Sequence, residues 1–217
     1  MMSELNWIQI IAVSILPVLF AVTVHEVAHG WVAKKYGDNT AFAQGRLTLN
    51  PIKHIDLVGT IIVPLLLRLT GTGFLFGWAK PVPVDPRNFK NPRQDMAIVA
   101  LAGPVSNLLM ALAWALIARI GVMIHVEFVT MPLIYMGVAG ISINLSLAFI
   151  NLLPIPPLDG SRVVARFLPA RLAWQYDKLE RWGLLIMLAL LYTKVLNLLL
   201  AVPMFVAQKA FFAIAGL

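Results

Sequence analysis

The sequence His-Glu-Val-Ala-His occupies residues 25–29, inside an apolar stretch from about Trp7 to Ala33 that is long enough to cross a membrane. His25 and His29 are four residues apart, so on a helix they share one face and can bind the same metal ion. Glu26 stands beside them, where its carboxylate could take a proton from a water that the metal activates. Ionisable side chains are costly inside a bilayer, and this group therefore indicates a functional site.

The composition is that of an integral membrane protein: 60% of the 217 residues are hydrophobic, 12% are charged, and the mean hydropathy is +0.84. We predict a single domain over residues 1–217, with a catalytic core over about 7–160 and amphipathic and transmembrane helices over 161–217. The net charge of +7 comes from lysine and arginine in short loops, a pattern that sets membrane orientation and does not indicate nucleic-acid binding. Because the chain has no cysteine, a metal must be bound through histidine nitrogen and carboxylate oxygen.

The apolar stretches predict an all-α polytopic membrane protein with about six transmembrane helices. They run over about 7–33, 55–69, 96–124, 131–153, 182–192 and 195–212. The loop that follows the first stretch is basic, which predicts that this loop is cytoplasmic and that the N-terminus lies outside. We therefore expect a multi-pass protein of the cell (inner) membrane whose metal site lies toward the cytoplasmic side.

The segment 71–84 is rich in glycine and proline, which excludes a regular helix and favours extended backbone around Pro81, Val82 and Pro83. Non-helical backbone at membrane depth is tolerated only where protein buries it or where it lines a wet cavity. We therefore predict a short re-entrant, β-like segment beside the metal site.

A catalytic zinc site needs a third protein ligand, and the apolar stretches contain almost no acids. Asp159 is the strongest candidate, because it follows a proline-rich helix end from which its carboxylate can turn back into the bundle. Zn²⁺ with neutral His25 and His29 and ionised Asp159 and Glu26 has no net charge, which suits a medium of low dielectric constant. Asp159 could instead form an ordinary turn with Gly160, and the histidine motif could be a polar patch that pairs with neighbouring helices.

The order of these motifs resembles that of the site-2 protease family of intramembrane zinc metalloproteases. The resemblance rests on H-E-x-x-H at 25–29 followed by N-x-x-P-x-x-x-L-D-G at 151–160, and it covers roughly Val22 to Gly160. The segments 77–84 and 103–107 are similar to the compact prokaryotic branch of the family. The sequence has no PDZ domain or other soluble insertion, so we do not expect substrate selection through a PDZ domain.

The resemblance implies a zinc-dependent endopeptidase that hydrolyses peptide bonds in or near transmembrane segments of other membrane proteins. It implies that His25, His29 and Asp159 bind one Zn²⁺ per chain, with Glu26 as the general base and acid. Asn151 is implied to hydrogen-bond the substrate backbone or the oxyanion, although it could instead pack the bundle through an interhelical hydrogen bond. An unwound substrate is implied to bind by strand addition along Pro81, Val82 and Pro83.

Two further polar residues have more than one interpretation. His54 precedes the second apolar stretch, where Asp56 could orient it as a partner of the metal ligands, or where it could cap a helix or serve as an alternative ligand. Asn107 lies in the third stretch, where a structural role near Gly103 is favoured because glycine allows helices to approach closely.

Two other functions are compatible with the histidine motif. A zincin that cuts peptides at the cytoplasmic face takes its third ligand from a downstream glutamate, but Glu127 is predicted outside and Glu180 at the interface. A catalytically inactive metal-binding or transport protein also uses broken helices and ionisable groups at membrane depth. The enzyme is favoured because Glu26 is not needed for binding alone and no internal repeat is present. Its expected partners are a transmembrane protein substrate and the lipid bilayer; the oligomeric state is not predicted.

Overall fold

The computed structural model describes residues 5–62, 66, 79–124 and 126–217, and all regular secondary structure in these ranges is helical. The helices are α1 (Trp7–Lys35), α2 (Thr40–Ala43), α3 (Pro92–Ile124), α4 (Glu127–Asn151), α5 (Asp159–Phe167), α6 (Ala170–Asp177), α7 (Gly183–Tyr192) and α8 (Val195–Ala215). Shorter 3₁₀- or π-helical turns occupy Pro51–His54, Leu57–Ile62, Pro86–Asn88 and Lys178–Trp182.

Four of the described helices, α1, α3, α4 and α8, are long and apolar enough to cross a membrane. This agrees with the prediction of an all-α polytopic membrane protein, but the count of six transmembrane helices is not confirmed. The stretch 182–192 corresponds to α7, whose 10 residues measure about 15 Å, half of a typical bilayer core of about 30 Å. The stretch 55–69 lies partly outside the described residues, and its first described element is the short turn Leu57–Ile62.

The predicted re-entrant segment also falls partly outside the described residues, which do not include 71–78. Its described part, Ala79–Asp85, is not helical and pairs with no strand within the described ranges. The β-like character of the segment is therefore not confirmed. Two prolines account for the lack of helix in this part, since each removes a backbone donor.

Helix α3 is the centre of the bundle, because it packs against α1, α4, α5 and α8. Small residues allow this packing: Ala111, Ala115 and Ala118 of α3 are fully buried in the core. A Cβ atom at Gly140 of α4 would overlap the indole ring of Trp114, so glycine is required for α3 and α4 to approach this closely. The site described below lies where this central helix meets α1 and α5.

Local features fix the ends of the helices that carry the site. Helix α1 begins in a capping box, in which Asn6 and Gln9 exchange two side-chain-to-backbone hydrogen bonds of 2.9 Å. A proline-rich turn leads from α4 to α5, whose first residue is Asp159. A Cβ atom at Gly160 would overlap the backbone carbonyl of Leu152, so glycine lets the first turn of α5 pack directly on the end of α4. This packing aims the start of α5 into the bundle.

Candidate metal centre

The two histidines of α1 are oriented by hydrogen bonds to acceptors on α3. The Nδ1 atom of His25 is 2.5 Å from the side-chain oxygen of Asn107, and the Nδ1 atom of His29 is 2.8 Å from the carbonyl oxygen of Val99. A carbonyl or amide oxygen can only accept, so each Nδ1 carries the proton and donates it. In the neutral imidazole each Nε2 then presents a lone pair, which is the form of histidine that binds metals.

The amide of Asn107 is itself held in one orientation. Asn107 is fully buried, and its Nδ2 donates to the carbonyl of Ala21 at 3.1 Å and to the side-chain oxygen of Asn144 at 2.9 Å. Asn144, fully buried on α4, donates in turn to the carbonyl of Gly140 at 2.8 Å. Since both donors of Asn107 are used elsewhere, its oxygen is the atom that faces His25. One chain of hydrogen bonds thus runs from His25 on α1 through Asn107 on α3 to Asn144 on α4.

Asp159 brings a third acceptor atom to the same point. Its Oδ2 atom is 3.3 Å from the Nε2 of His25 and 3.3 Å from the Nε2 of His29, and the two Nε2 atoms are 3.1 Å apart. This Oδ2 is buried and has no hydrogen-bond donor in the described part of the chain. Three lone pairs that face one another in a buried position repel, so the arrangement favours a cation among them.

The spacing of these three atoms fits zinc. Tetrahedral zinc with bonds of about 2.0–2.1 Å separates neighbouring ligand atoms by about 3.3–3.4 Å. The observed distances of 3.1 and 3.3 Å are close to that edge length, and two histidines with one carboxylate leave a fourth position for water or substrate. Within the described ranges, His25, His29 and Asp159 form the one cluster of histidine and acidic side chains that could hold a metal ion.

A glycine on α3 makes room for both imidazole rings. A Cβ atom at Gly103 would lie within 3.0 Å of ring atoms of both His25 and His29. Because both contacts are to side chains that are held by their own hydrogen bonds, neither ring can easily move away. Gly103 therefore does more than bring two helices together, since it allows the two imidazoles to lie directly against α3.

Glu26 follows the first histidine, and the Ala79–Asp85 segment holds its carboxylate. The Oε2 atom of Glu26 accepts a hydrogen bond of 2.7 Å from the backbone N–H of Val82. Pro81 and Pro83 flank Val82 and have no N–H to donate. The three residues predicted to bind substrate thus lie beside the predicted base, and their one backbone donor is used by that base.

Two other predicted residues, Asn151 and His54, are not part of the cluster of potential ligands, and the hydrogen bonds described for their side chains go to backbone carbonyls. The side chain of Asn151 donates a hydrogen bond of 3.0 Å to the carbonyl of Leu147, one turn earlier on α4. His54 is buried, and its Nε2 is 2.9 Å from the carbonyl oxygen of Thr48. The backbone carbonyl of His54 accepts a hydrogen bond from the N–H of Lys80, so this residue contacts the Ala79–Asp85 segment and not the ligands.

The alternative ligand Glu180 is also placed by the structure. Its carboxylate forms an ion pair with Arg162 at 2.7 Å, and it is not part of the cluster of potential ligands. This arrangement gives no support to a site that uses a glutamate near the interface as its third ligand.

Sequence reasoning missed several residues that hold the histidines or the neighbouring Ala79–Asp85 segment in place, directly or through one other residue. Asn107 was expected to have a structural role, but its oxygen accepts from His25. Asn144 was not considered, although a polar side chain in an apolar helix is unusual enough to have indicated it. Arg46 and Asp38, which hold the Ala79–Asp85 segment, gave no signal in the sequence, because charged residues in a loop are ordinary.

Comparison with known proteins agrees with this geometry. A sequence profile of Peptidase family M50 matches residues 119–193. The chain is 40% identical over 183 residues to the Bacillus subtilis protein named "Putative zinc metalloprotease YwhC", with 82% of this chain and 80% of that one covered. It is 31% identical to "Putative zinc metalloprotease Rip2" of Mycolicibacterium smegmatis, over 82% and 66% of the two chains. It is 30% identical to "Putative zinc metalloprotease MJ0611" of Methanocaldococcus jannaschii, over 72% and 71%. No solved structure matches the chain.

The helices, the cluster of two histidines and one aspartate, and the relatives together define a zinc metalloprotease that carries membrane-length helices. The chain belongs to Peptidase family M50, the site-2 protease family.

Proposed function

We propose that this protein is an intramembrane endopeptidase that hydrolyses peptide bonds in or near transmembrane segments of other membrane proteins. The observation that carries the proposal is the convergence of the Nε2 atoms of His25 and His29 with Oδ2 of Asp159 on a membrane-length helix. The two histidines lie ten and six residues before the end of α1 at Lys35, which is about 15 and 9 Å from that end. These distances support a site within membrane depth, nearer the basic end of the helix.

His25, His29 and Asp159 are the proposed ligands of one zinc ion per chain. Bound zinc supplies a Lewis acid, which polarises a carbonyl group and makes a water molecule acidic enough to react near neutral pH. Glu26 accepts the proton of the attacking water and passes it to the leaving amine. The hydrogen bond from the N–H of Val82 keeps one oxygen of Glu26 in place, and the other oxygen, which has no hydrogen bond to the described residues, would carry out this transfer.

Asn151 is the proposed donor to the substrate backbone or to the oxyanion. A side-chain amide has two N–H groups, and only one hydrogen bond of this amide, to Leu147, is present in the described part of the chain. The second N–H is available to a substrate. Loss of one such donor in other hydrolases raises the barrier by about 2.7–4 kcal/mol.

Substrate binding along Pro81, Val82 and Pro83 follows from the donors and acceptors of these residues. A transmembrane helix keeps its carbonyl groups in internal hydrogen bonds, so it must be opened locally before hydrolysis. The two prolines cannot donate, the N–H of Val82 is occupied, and the carbonyl of Pro81 accepts from Arg46. The carbonyl oxygens of Val82 and Pro83 are therefore the ones that these residues offer to an incoming strand. The opened substrate would donate its own N–H groups to them, in the manner of strand addition.

The proposed setting is the cell (inner) membrane, which the protein crosses several times. Lys34 and Lys35 at the end of α1 support a cytoplasmic location for this end and an outside location for the N-terminus. The proposed partners are a transmembrane protein substrate and the surrounding lipid.

The test uses the full chain, purified in detergent and supplied with zinc, and a panel of tagged transmembrane-segment substrates. We expect wild type to hold about one zinc and to cleave at least one substrate. Glu26→Gln should keep zinc and lose cleavage, whereas Asp159→Asn should lose both. Glu180→Gln, which changes an acid outside the site, is the matched control and should resemble wild type. Stoichiometric zinc in wild type without cleavage of any substrate would support the alternative, an inactive metal-binding or transport protein.

A further inference from the structure

The Ala79–Asp85 segment is attached to the rest of the molecule by backbone donors spread along its length. Prolines at two positions leave four N–H groups from Lys80 to Asp85, and three of them are bonded. The N–H of Lys80 donates to the carbonyl of His54 at 2.9 Å, that of Val82 to Glu26 at 2.7 Å, and that of Asp85 to Asp38 at 2.8 Å. A segment without secondary structure is thus fixed at its start, middle and end.

Arg46 fixes the start of the segment by donating hydrogen bonds to the segment's backbone carbonyl groups. Its Nη2 atom donates to the carbonyl of Lys80 at 2.9 Å and to that of Pro81 at 3.3 Å. The Arg46 side chain is buried, and it follows Gly45, whose φ of +63° turns the loop in a way that favours glycine. Hydrogen bonds from a charged donor are about twice as strong as neutral ones, which suits a side chain that must hold an irregular backbone.

Asp38 fixes the end of the segment in the same way. Its carboxylate is fully buried and accepts from the N–H of Asp85, from the side-chain amide of Asn88 at 2.8 Å and from the N–H of Thr40 at 3.0 Å. A buried carboxylate requires such donors, and here they come from both sides of the contact between the segment and the α1–α2 loop.

Between these two attachments the segment lies closely against α1. A Cβ atom at Gly30 would be 2.8 Å from Cγ1 of Val82 and 2.5 Å from Cδ2 of Leu47. Gly30 is one helical turn after Glu26, so the two residues share a face of α1. The side chain of Val82 packs over the glycine while its N–H meets the carboxylate.

We infer that Arg46 and Asp38 are positioning residues for Glu26, which act by holding the Ala79–Asp85 segment so that the Val82 N–H fixes the carboxylate. Neither residue touches the reacting atoms. The inference rests on the proposed function, because it assigns the purpose of these contacts to the base of that reaction.

The contacts of the metal ligands are separate from those of the segment. The two histidines are held by Asn107 and Val99 on α3, and Arg46 and Asp38 contact neither them nor Asp159. A variant that releases the segment should therefore leave zinc binding intact. This separation distinguishes a positioning role from a general contribution to folding, which would change zinc binding as well.

The experiment compares full-length wild type with Arg46→Met, Arg46→Lys and the control Arg87→Ala. Arg46→Met removes the donors at similar length, whereas Arg46→Lys keeps one cation and restores part of the contact. Arg87 is exposed, and among the described residues its guanidinium pairs with the Asp85 side chain alone, so Arg87→Ala leaves the backbone contacts of the segment in place. Zinc per chain, hydrogen exchange of a peptide that covers residues 79–85, and kcat and KM for a cleaved transmembrane substrate are measured on the same samples.

We expect Arg46→Met to keep one zinc, to exchange the amides of residues 79–85 at least several-fold faster, and to lose about 100-fold in kcat, the effect of a small misplacement of a catalytic group. Arg46→Lys should recover part of the kcat, and the control should resemble wild type. The inference is overturned if Arg46→Met exchanges like wild type, if its kcat stays within twofold, or if it loses zinc together with activity. If wild type holds zinc and cleaves nothing, the proposed function fails, while the exchange data still decide whether Arg46 holds the segment.

Discussion

The two histidines of the candidate metal site belong to α1, and the Ala79–Asp85 segment packs against the same helix at Gly30, but different contacts hold them. The histidines are fixed by groups of the central helix, the side chain of Asn107 and the carbonyl of Val99. The segment is fixed by two buried loop side chains, Asp38 before α2 and Arg46 after it. Helix packing therefore brings the proposed metal ligands together, whereas the side chains of Arg46 and Asp38 hold the neighbouring backbone, to which the Glu26 carboxylate is bonded.

This difference implies that the two halves of the site can be disrupted independently. Changes in the helix-borne half, which consists of His25, His29, Asp159 and Asn107, should alter zinc affinity and leave the hydrogen exchange of residues 79–85 unchanged. Changes in the loop-borne half, which consists of the Ala79–Asp85 segment with Arg46 and Asp38, should speed the hydrogen exchange of residues 79–85 and leave zinc affinity unchanged.

Removal of one ligand should have the largest effect. His25→Ala leaves two of the three proposed ligand atoms. Loss of a residue that only hydrogen-bonds a ligand can weaken metal affinity by about 100-fold, so loss of a ligand itself should weaken zinc affinity by more than that. Zinc per chain after dialysis against a chelator is the measurement, with the lipid-facing variant Leu109→Ala as control. Hydrogen exchange at 79–85 should match that of wild type, and faster exchange there would show that the two halves are coupled.

Gly103→Ala should be the most damaging change that leaves all ligands in place. The added methyl group overlaps both imidazole rings, and overpacking of this kind costs about 1–3 kcal/mol. Competition with a chelator should show weaker zinc binding, and cleavage should fall because the ligand atoms no longer converge. Zinc affinity equal to that of Leu109→Ala would mean that α3 moves away without disturbing the histidines.

Asn107→Leu should lower zinc affinity by about 10–100-fold, since it removes the oxygen that fixes the tautomer and ring orientation of His25. It also leaves the carbonyl of Ala21 and the side chain of Asn144 without their buried donor. Asn144→Leu should have a smaller effect, because it acts only through the orientation of the Asn107 amide. Equal effects of the two substitutions on zinc affinity would argue against this order of contacts.

Asp38→Asn should have the smallest effect, confined to the loop-borne half and dependent on pH. Burial raises the pKa of Asp38, but the hydrogen bonds from Thr40, Asn88 and the N–H of Asp85 together lower it by more than burial raises it. The pKa therefore lies below its ordinary value of 3.8. A depressed pKa contributes stability above about pH 3.8, which is lost as pH falls through the lower folded value. Near pH 7 we expect a melting temperature about 2–4 °C below that of wild type.

The pH dependence supplies the control for that prediction. In strong acid the protonated Asp38 of wild type and the asparagine of the variant are both neutral. The difference in melting temperature between Asp38→Asn and wild type should therefore narrow as pH falls below about 3.8. Zinc per chain at neutral pH should be unchanged, since Asp38 contacts no ligand. If the difference in melting temperature were the same at all pH values, the charge of Asp38 would not contribute to stability.

Much of the ligand set could be predicted from the sequence, although its role in binding stays a prediction until zinc is measured in the variants. The spacing of His25 and His29 is a local property of one helix, and Asp159 was selected because few acids lie in or beside apolar sequence. The helical class and the boundaries of α1, α3 and α4 also followed from long apolar runs, to within a few residues. The count of six spans did not, because a run of about 11 residues such as 182–192 does not reveal whether it crosses a bilayer.

The sequence by itself determined that two histidines share a helical face in apolar surroundings and that an acid follows a broken helix end. These properties depend only on helix periodicity and on composition. Tertiary structure alone decided which groups complete the site. Glu26 meets the N–H of Val82 across 56 residues, and His25 meets Asn107 across 82 residues. No periodic pattern encodes a contact over such separations, because it arises only when the packing of small residues brings the helices together and loop side chains fix the backbone between them.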